Sequence, residues 1–261
     1  MPFAPLPDVP LHYELVGPVG APALVFSNSL GATLSMWDPQ LPALQKQFRV
    51  LRYDTRGHGQ SRVTPGPYAI EQLARDVLAL LDALKLDRVY FCGLSMGGQT
   101  GMWLALNAPT RLSKLILCDT AAKIGTPDIW NSRIEAVQKG GMKAISTAVM
   151  ERWFSATYRA NSPEAVATIK LILESTDPDG YIANCAAVRD FDARETIAAI
   201  TVPTLVIAGT HDAATTPSDG HYLAERIPGA HYVELNAAHL SNMEDPARFT
   251  SEVSTFLLSP K

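Results

Sequence analysis

A serine, an aspartate and a histidine occur in that order along the chain, a set of residue types that could perform nucleophilic chemistry. Ser95 lies in the sequence Gly-Leu-Ser-Met-Gly at positions 93–97. An apolar run begins at Val89 and a helical pattern covers 100–107, which predicts that Ser95 sits at a sharp strand-to-helix turn, a nucleophile elbow. Side chains at positions 93 and 97 would collide with the facing strand or helix, which explains the glycines there. An ordinary Gly/Ser loop is the less favoured interpretation.

A serine hydroxyl is a weak nucleophile at neutral pH, so it needs a base and a carboxylate that orients the base. Both partners follow the serine when the turn has this form. We expect His239 to be the base, because small neighbours surround it in a loop directly beyond the last predicted strand. The other downstream histidines are less suitable, since one adjoins the best acid and two fall within a predicted helix or strand: His211, His221 and His231.

Two aspartates could supply the orienting carboxylate, because each follows the carboxyl end of a predicted strand. Asp212 comes after the strand 205–208, and Asp119 ends the strand 115–119. We favour Asp212 and keep Asp119 as the rival. A tetrahedral intermediate also needs two converging donors for its oxyanion. The backbone N–H of Met96 is expected to be one, and the loop in which Leu30 precedes Gly31 to provide the other.

Alternating strands and helices predict the elements that must position these residues. Most predicted strands are apolar throughout, which indicates an α/β fold with a mainly parallel, doubly wound sheet covered on both faces. The strands are expected at 11–16, 23–26, 49–53, from 89 to the turn with Ser95, and at 115–119, 203–209 and 231–235, the first as a half-buried edge strand. Ile70 to Leu84 is predicted as an amphipathic helix with Arg75, Asp76 and Asp82 facing water. Residues 54–61 form a polar turn, in which we assign His58 a structural role.

The interval from about Ala122 to Arg189, after the predicted strand 115–119, breaks this alternation. Helical patterns at 129–139, 142–154 and 163–174 follow one another without a convincing strand. Such an insertion is typical of a helical cap that covers the carboxyl ends of the strands. We therefore expect a core domain of residues 1–121 and 190–261 and a cap of residues 122–189.

Composition excludes several classes of function. The chain has 261 residues, a net charge of -4 and a pI near 5.9, which give no general attraction for nucleic acid or an anionic membrane. The N-terminal residues lack a signal-peptide pattern, and no apolar run reaches the roughly 18 residues of a membrane span. The three cysteines lack metal-type spacing, and Cys92 and Cys118, which lie in apolar strand-like runs, are interpreted as buried apolar residues. A cytoplasmic location is the default expectation.

Several stretches resemble the α/β-hydrolases, and among them the 3-oxoadipate enol-lactonases of bacterial aromatic catabolism. The elbow and the turn Asp-Thr-Arg-Gly-His-Gly at 54–59 are general to the superfamily. The stretches 29–38 and 118–125 are closer to the lactonases, and Ala-His-Leu-Ser-Asn at 238–242 also matches. The resemblance implies an α/β-hydrolase fold and hydrolysis of 3-oxoadipate enol-lactone to 3-oxoadipate through a serine acyl-enzyme. It implies no cofactor and no metal, and it assigns nucleophile, acid, base and oxyanion donors to Ser95, Asp212, His239, Leu30 and Met96.

Such a substrate carries a carboxylate, and an anion in an apolar pocket needs a charged hydrogen-bond partner. Trp130 and Arg133 are three residues apart on a predicted cap helix and so share a face. We hypothesise that Arg133 holds the carboxylate while Trp130 and Trp153 wall the pocket. The alternative is an arginine that lies in water on the surface.

Two other kinds of function stay open. One is a different cofactor-free hydrolase of this fold, such as a carboxylesterase, a perhydrolase or a carbon-carbon bond hydrolase. The other is a non-catalytic binding protein, because a fold does not fix a function. A haloalkane dehalogenase is disfavoured, since it would need a carboxylate in place of Ser95. The preferred lactone, the oligomeric state and the extent of cap motion are not predicted.

Overall fold

The computed structural model describes residues 3–5 and 9–259. The expectation that the N-terminus lacks a signal-peptide pattern falls partly on residues 1 and 2, which lie outside the described residues. Within the described residues, eight strands form one sheet with the order β1-β2-β4-β3-β5-β6-β7-β8. The pairs β1–β2 and β2–β4 are antiparallel, and the other five pairs of neighbouring strands are parallel. The strands are β1 (Phe3–Pro5), β2 (Pro10–Val16), β3 (Ala23–Ser27), β4 (Arg49–Tyr53), β5 (Val89–Leu94), β6 (Leu112–Cys118), β7 (Thr204–Gly209) and β8 (His231–Leu235).

Eleven α-helices connect and cover these strands in the described part of the chain. They are α1 (Leu41–Leu44), α2 (Ile70–Ala83), α3 (Met96–Asn107), α4 (Pro127–Gly140), α5 (Lys143–Trp153), α6 (Ala156–Asn161), α7 (Pro163–Ser175), α8 (Pro178–Asp190), α9 (Pro217–Arg226), α10 (Ser241–Glu244) and α11 (Pro246–Leu258). Short 3₁₀ helices occur at Leu34–Gln40, Pro109–Arg111 and Ile197–Ala199. The predicted α/β-hydrolase architecture, with a mostly parallel sheet and helices inserted after the sixth strand, is confirmed.

Side chains of the central strands pack on both faces of the sheet, as their apolar sequences predict. Successive residues point to opposite faces of a strand. In β3, Phe26 therefore belongs to the core on one face and Val25 to the core on the other. Cys92 and Cys118, on neighbouring strands, have their sulphur atoms 3.7 Å apart, and both are fully buried as free thiols. The interpretation of these cysteines as buried apolar residues is confirmed.

Two expectations about local structure were wrong. The strand at 11–16 is not at the edge, because β1 pairs outside it, with Ala4 opposite Leu11. A strand of three residues is too short to show a periodic pattern. Asp76 of α2 does not face water either, since it is buried and forms an ion pair of 2.5 Å with Arg56. The apolar periodicity of α2 gives no sign that Arg56, from the turn at 54–61, pairs with Asp76.

The sheet topology places the loops after β3 and β5 side by side. These strands pair in parallel, with Ser27 opposite Gly93, and the strand order reverses between them. Ligands of open α/β sheets bind beyond the carboxyl ends of the strands at such a reversal. The fold therefore brings the loop with Leu30 and the turn with Ser95 to the same end of the sheet.

Candidate active site

Ser95 occupies the predicted strand-to-helix turn, directly between β5 and α3. Its backbone has φ 58° and ψ -114°, a conformation that costs energy for a residue with a side chain. A Cβ atom on Gly93 would lie 2.1 Å from the carbonyl oxygen of Gly97. One on Gly97 would lie 2.2 Å from the carbonyl oxygen of Ser27 in β3. The turn is thus as tight as the two glycines predict. Gly93 lies against the backbone of α3, and Gly97 lies against the backbone of β3.

His239 and Asp212 form a buried pair. Nδ1 of His239 lies 2.7 Å from Oδ2 of Asp212. The carboxylate is itself held, because its Oδ1 accepts the N–H groups of Ala214 and Thr215 and its Oδ2 accepts the Thr215 hydroxyl. Since a carboxylate can only accept, Nδ1 carries the proton and Nε2 keeps its lone pair. His239 and Ser95 line the same cavity.

The pair shifts the pKa values of both groups. Burial by itself would lower the pKa of the His239 imidazole, but the charge and hydrogen bond of Asp212 outweigh it, so the pKa is raised. Burial opposes ionisation of Asp212, yet His239 and the Thr215 donors bring the pKa of this carboxyl below its usual value. The geometry therefore favours an ionised Asp212 beside an imidazole that binds a proton readily.

Asp119, the rival acid, lies nearby with different partners. Its Oδ1 accepts the N–H of Gly209 at 2.8 Å, and its Oδ2 pairs with the Ser241 hydroxyl at 2.5 Å. Burial, together with the charge of Asp212, raises the pKa of Asp119 to about 8. No hydrogen bond joins it to His239 in the described part of the chain. Asp119 therefore connects the end of β7 with the loop after His239, and Asp212 occupies the place next to the imidazole.

The two expected oxyanion donors lie on adjoining segments. Residues 29–32 form a tight turn, in which the N–H of Ala32 donates to the Ser29 carbonyl at 3.1 Å and Gly31 has φ 85°. The N–H of Gly97 donates to the Asn28 carbonyl at 3.1 Å and joins this loop to α3. Among the described residues, no hydrogen bond takes up the N–H of Leu30. Met96 opens α3, and the first N–H groups of a helix have no acceptor within it.

A cavity of about 380 Å³ lies between these loops and the inserted helices. It brings Trp130, Arg133 and Trp153 together with Ser95, whereas Asp212 lies behind His239 and is not in the cavity wall. The guanidinium carbon of Arg133 lies 4.7 Å from the centre of the Trp130 ring, a cation–π geometry. The wall consists of Ser29, Leu30, Ser95, Ile124, Gly125, Ile129, Trp130, Arg133, Val149, Arg152, Trp153, Tyr181, Ala213, Ala214 and His239.

Sequence reasoning missed a second arginine in this wall. Arg152 lies on α5 and, like Arg133 on α4, makes no salt bridge with a carboxylate of the described residues. Burial and the charge of Arg133 lower the pKa of Arg152, as expected for two cations that face one space. A signal was available, because Val149, Arg152 and Trp153 are spaced to share one helix face. The cavity wall contains no aspartate or glutamate, so its charge is positive.

The arrangement is suited to attack by a serine hydroxyl on a carbonyl of an anionic molecule. Among residues 3–5 and 9–259, no cluster of three or more His, Cys, Asp or Glu side chains could hold a metal ion. No helix in the same part of the chain is both long enough and apolar enough to cross a membrane.

Comparison with known proteins places this geometry in a family. A family model for the alpha/beta hydrolase fold matches residues 22–246. The chain is 42% identical to 3-oxoadipate enol-lactonase 2 of Acinetobacter baylyi over 96% of its own length and 94% of that protein. It is 50% identical to the enol-lactonase from Burkholderia xenovorans LB400, with a TM-score of 0.97 and coverage of 99% and 100%. A thermophilic esterase from Thermogutta terrifontis is 30% identical, with a TM-score of 0.91 and coverage of 98% and 97%. The chain therefore belongs to the α/β-hydrolase family and, within it, to the group of the 3-oxoadipate enol-lactonases.

Proposed function

We propose that this protein hydrolyses 3-oxoadipate enol-lactone to 3-oxoadipate, as a step in bacterial degradation of aromatic compounds. The observation that carries the proposal is the charge of the cavity. Arg133 and Arg152 face the space that Ser95 and His239 also line, and no carboxylate of the wall neutralises them. An uncharged ester would leave two half-buried cations without a counter-charge, whereas a lactone with a carboxylate side chain would supply one. The names of the relatives support the same substrate.

The chemistry would begin at Ser95. Its hydroxyl oxygen attacks the lactone carbonyl while Nε2 of His239 takes the proton, and Asp212 stabilises the imidazolium that forms. The backbone N–H groups of Leu30 and Met96 bind the oxyanion of the tetrahedral intermediate. The ring C–O bond then breaks, His239 returns the proton to the enol oxygen, and the enol becomes a ketone. The open chain stays attached to Ser95 as an ester.

A water molecule would complete the reaction. Nε2 of His239 removes a proton from water, whose oxygen attacks the acyl carbon and releases the second carboxylic acid. Each turnover therefore consumes one lactone and one water, and it regenerates the serine hydroxyl. Formation of the ketone makes ring opening favourable, so the cavity needs only to position groups and stabilise charge.

The inserted helices would serve as the substrate-binding cap. We assign residues 122–189 to the cap and residues 1–121 and 190–261 to the hydrolase core. In this assignment the cap supplies the cations, Arg133 and Arg152, and the aromatic walls, Trp130 and Trp153. The partner is a small molecule, so no nucleic acid or membrane is required, and the proposed location is the cytoplasm.

The direct test is a spectrophotometric assay that follows loss of the ring chromophore of the enol-lactone. We expect wild-type turnover and a loss of 10⁴-fold or more in Ser95→Ala. A panel of neutral esters measured beside the lactone separates the proposal from a general esterase, which would not prefer the carboxylated ring by orders of magnitude. Equal rates on both would contradict the proposed substrate, and the absence of any turnover would favour a binding protein.

The two arginines give a sharper prediction. Arg133→Ala and Arg152→Ala should each raise KM for the lactone about ten- to a hundredfold, because a charge-assisted hydrogen bond to a carboxylate contributes about 1.5–3 kcal/mol. Turnover of a neutral ester should change little. Arg75→Ala is the matched control, since Arg75 is exposed on α2 and pairs with Glu71. An unchanged KM in both cavity variants would show that the carboxylate is held elsewhere.

A further inference from the structure

His58, which sequence analysis treats as part of a structural turn, makes a contact with the oxyanion loop. Its Nε2 accepts the N–H of Gly31 at 2.7 Å, and the ring is 1% exposed. The turn around it is rigid, because the N–H of His58 donates to the Thr55 carbonyl and that of Ser61 donates to the His58 carbonyl. A buried imidazole on a fixed turn thus holds one peptide group of the loop after β3.

That peptide group adjoins the one that carries the expected oxyanion donor, because the Leu30 N–H belongs to the Ser29–Leu30 peptide. The Leu30–Gly31 peptide is the centre of the turn at 29–32, and the positive φ of Gly31 defines which way it faces. The hydrogen bond from Gly31 to His58 fixes this orientation. The Ser29–Leu30 and Leu30–Gly31 peptides share the Cα atom of Leu30 within one tight turn, so a bond that holds the second also restricts the first, which carries the Leu30 N–H.

The inserted helices contact the same two segments. Asn184 of α8 donates through its Nδ2 to the Arg56 carbonyl at 2.8 Å, and the same atom lies 3.4 Å from Nδ1 of His58. A Cβ atom on Gly180 would lie 2.4 Å from the Gly57 carbonyl oxygen, so α8 packs backbone to backbone on this turn. A Cβ atom on Gly31 would meet side chains of three inserted helices, those of Leu173, Tyr181 and Trp153.

We propose that His58 is a positioning residue for the oxyanion site. Asn184 links the seating of α8 to the orientation of the Leu30–Gly31 peptide through the Arg56 carbonyl, which accepts from Asn184 and also faces Nδ1 of His58. In this arrangement the oxyanion donor is aligned when α8 lies against the turn at 54–61. The inference rests on the proposed function, because it assumes that the Leu30 N–H binds an oxyanion during ester hydrolysis.

The arrangement requires one tautomer of His58. Since Gly31 donates to Nε2, the ring proton must sit on Nδ1, which faces the Arg56 carbonyl at 3.4 Å. A protonated ring would have no lone pair for Gly31. Burial lowers the pKa of His58 to about 4, so the ring is neutral near pH 7.

The decisive variants are His58→Leu, which removes the acceptor, and His58→Gln, whose amide oxygen can replace Nε2. We expect His58→Leu to lower kcat about 10²-fold, the cost of one oxyanion donor, with KM within threefold of wild type. Affinity for a boronic acid that forms a tetrahedral adduct with Ser95 should fall by a similar factor, while affinity for 3-oxoadipate should not. His58→Gln should recover kcat to within tenfold. His221→Gln, at a half-exposed histidine of α9, is the matched control.

Asn184→Ala tests the link to α8. It should lower kcat about three- to tenfold without raising KM, and the double variant with His58→Leu should be no worse than His58→Leu alone, since both act through one chain of contacts. Additive losses would overturn the link. A rise in KM with unchanged kcat in the His58 variants, or equal kcat in all of them, would overturn the positioning role.

Two measurements keep the result interpretable if His58→Leu does not fold. The ¹⁵N chemical shift of His58 Nε2 in the wild-type protein should be that of an unprotonated nitrogen, and a protonated Nε2 would overturn the inference. If the wild type does not open the lactone, the proposed function fails first. The kcat comparison is then made with any ester that the wild type does hydrolyse, because oxyanion stabilisation is common to all of them.

Discussion

At the scale of single residues, the two buried aspartates make opposite predictions. Asp212→Asn should lower kcat by about 10⁴-fold, because an amide cannot hold the imidazole in the required tautomer and charge state. Asp119→Asn should stay within about tenfold of wild type near pH 7. Because the pKa of Asp119 is raised to about 8, the uncharged form is favoured there, as in the amide. The amide oxygen still accepts the N–H of Gly209, and the Ser241 hydroxyl, which donates to Oδ2 in the structure, can rotate to accept from the amide.

Rates of both variants at pH 7, with circular dichroism to verify folding, check this pair of expectations. Their comparison is matched, since each replaces one buried carboxyl by its amide within the same cluster. If Asp119→Asn proved the slower enzyme, the orienting acid would be the residue after β6 and the assignment of Asp212 would be wrong.

The same pair predicts a pH dependence. His239 must be neutral to accept a proton, so kcat/KM should fall as the pH drops through its pKa, which lies above the usual imidazole value because of Asp212. In Asp212→Asn, burial remains while the attraction is lost, so the residual activity should fall off at a lower pH. A pH–rate profile of each protein measures the displacement.

Stability should respond to this group in the opposite sense. A raised pKa in the folded state means that folding favours the protonated imidazole. The contribution of His239 to the free energy of unfolding is therefore complete below the pKa of the unfolded chain, and it is lost as the pH rises through the folded-state pKa. In the pH–rate profiles, an acid limb of kcat/KM that lies at the same pH in wild type and Asp212→Asn would contradict the assignment of Asp212 as the partner of His239.

Sequence constrains some of these positions more strongly than others, for physical reasons. Ser95 and His239 could be located because the order of the chain and the positions of the strand ends constrain them. Arg133 was proposed from a spacing, but Arg152 was not, since long charged side chains on helices usually reach water. Which charged residue turns inward depends on how α4 and α5 pack, and periodicity within one helix does not specify that.

At the scale of elements, the turn at Ser95 predicts a steep dependence on glycine. Gly97→Ala should destabilise the protein by about 3 kcal/mol or more, because the new Cβ would overlap the carbonyl of Ser27 and the elbow could not close. Gly229→Ala is the matched control, since its Cβ would meet open space and only the positive φ of 72° costs energy. That cost is about 1–2 kcal/mol.

Urea unfolding monitored by tryptophan fluorescence measures both free energies, and the lactone assay reports whether Gly97→Ala retains any turnover. A Gly97→Ala protein as stable and active as wild type would mean that the strand and helix can separate without harm. The tight elbow would then have no consequence for the site.

Among the inserted helices, those with an amphipathic sequence pattern were the ones that sequence analysis predicted. The segments 129–139, 142–154 and 163–174 correspond to α4, α5 and α7, whose ends differ by a few residues at most. Sequence analysis did not predict α6 or α8. Most side chains of α8 are buried, so the helix has no polar face to give a period, and Gly180 and Asn184 lower its helical propensity. The same two residues make its contacts with the turn at 54–61.

At the scale of the whole molecule, the cavity has walls from the sheet loops and from the inserted helices, so a bound anion should stabilise both. Saturating 3-oxoadipate, at about 100 times its Kd, should add about 2.7 kcal/mol to the free energy of unfolding. For a domain of this size the midpoint of thermal unfolding should rise by about 5–10 °C.

Differential scanning fluorimetry tests this with two comparisons. The uncharged diamide of the same carbon chain should give little shift, because it offers no carboxylate to the guanidinium groups. The double variant Arg133→Ala and Arg152→Ala should lose most of the effect of 3-oxoadipate. Equal shifts for the acid and the diamide would contradict anion recognition by the cavity.

The burial of all three cysteines means that thiol chemistry can occur only when part of the molecule opens. Cys185 lies in α8, whereas Cys92 lies in β5, three residues before Ser95, and Cys118 lies in β6, directly before Asp119. A reagent that modifies Cys185 alone would therefore report that α8 has lifted from the core. Modification of Cys92 and Cys118 would report that the central sheet has unfolded. The reactivities of the three thiols therefore distinguish local opening of α8 from global unfolding.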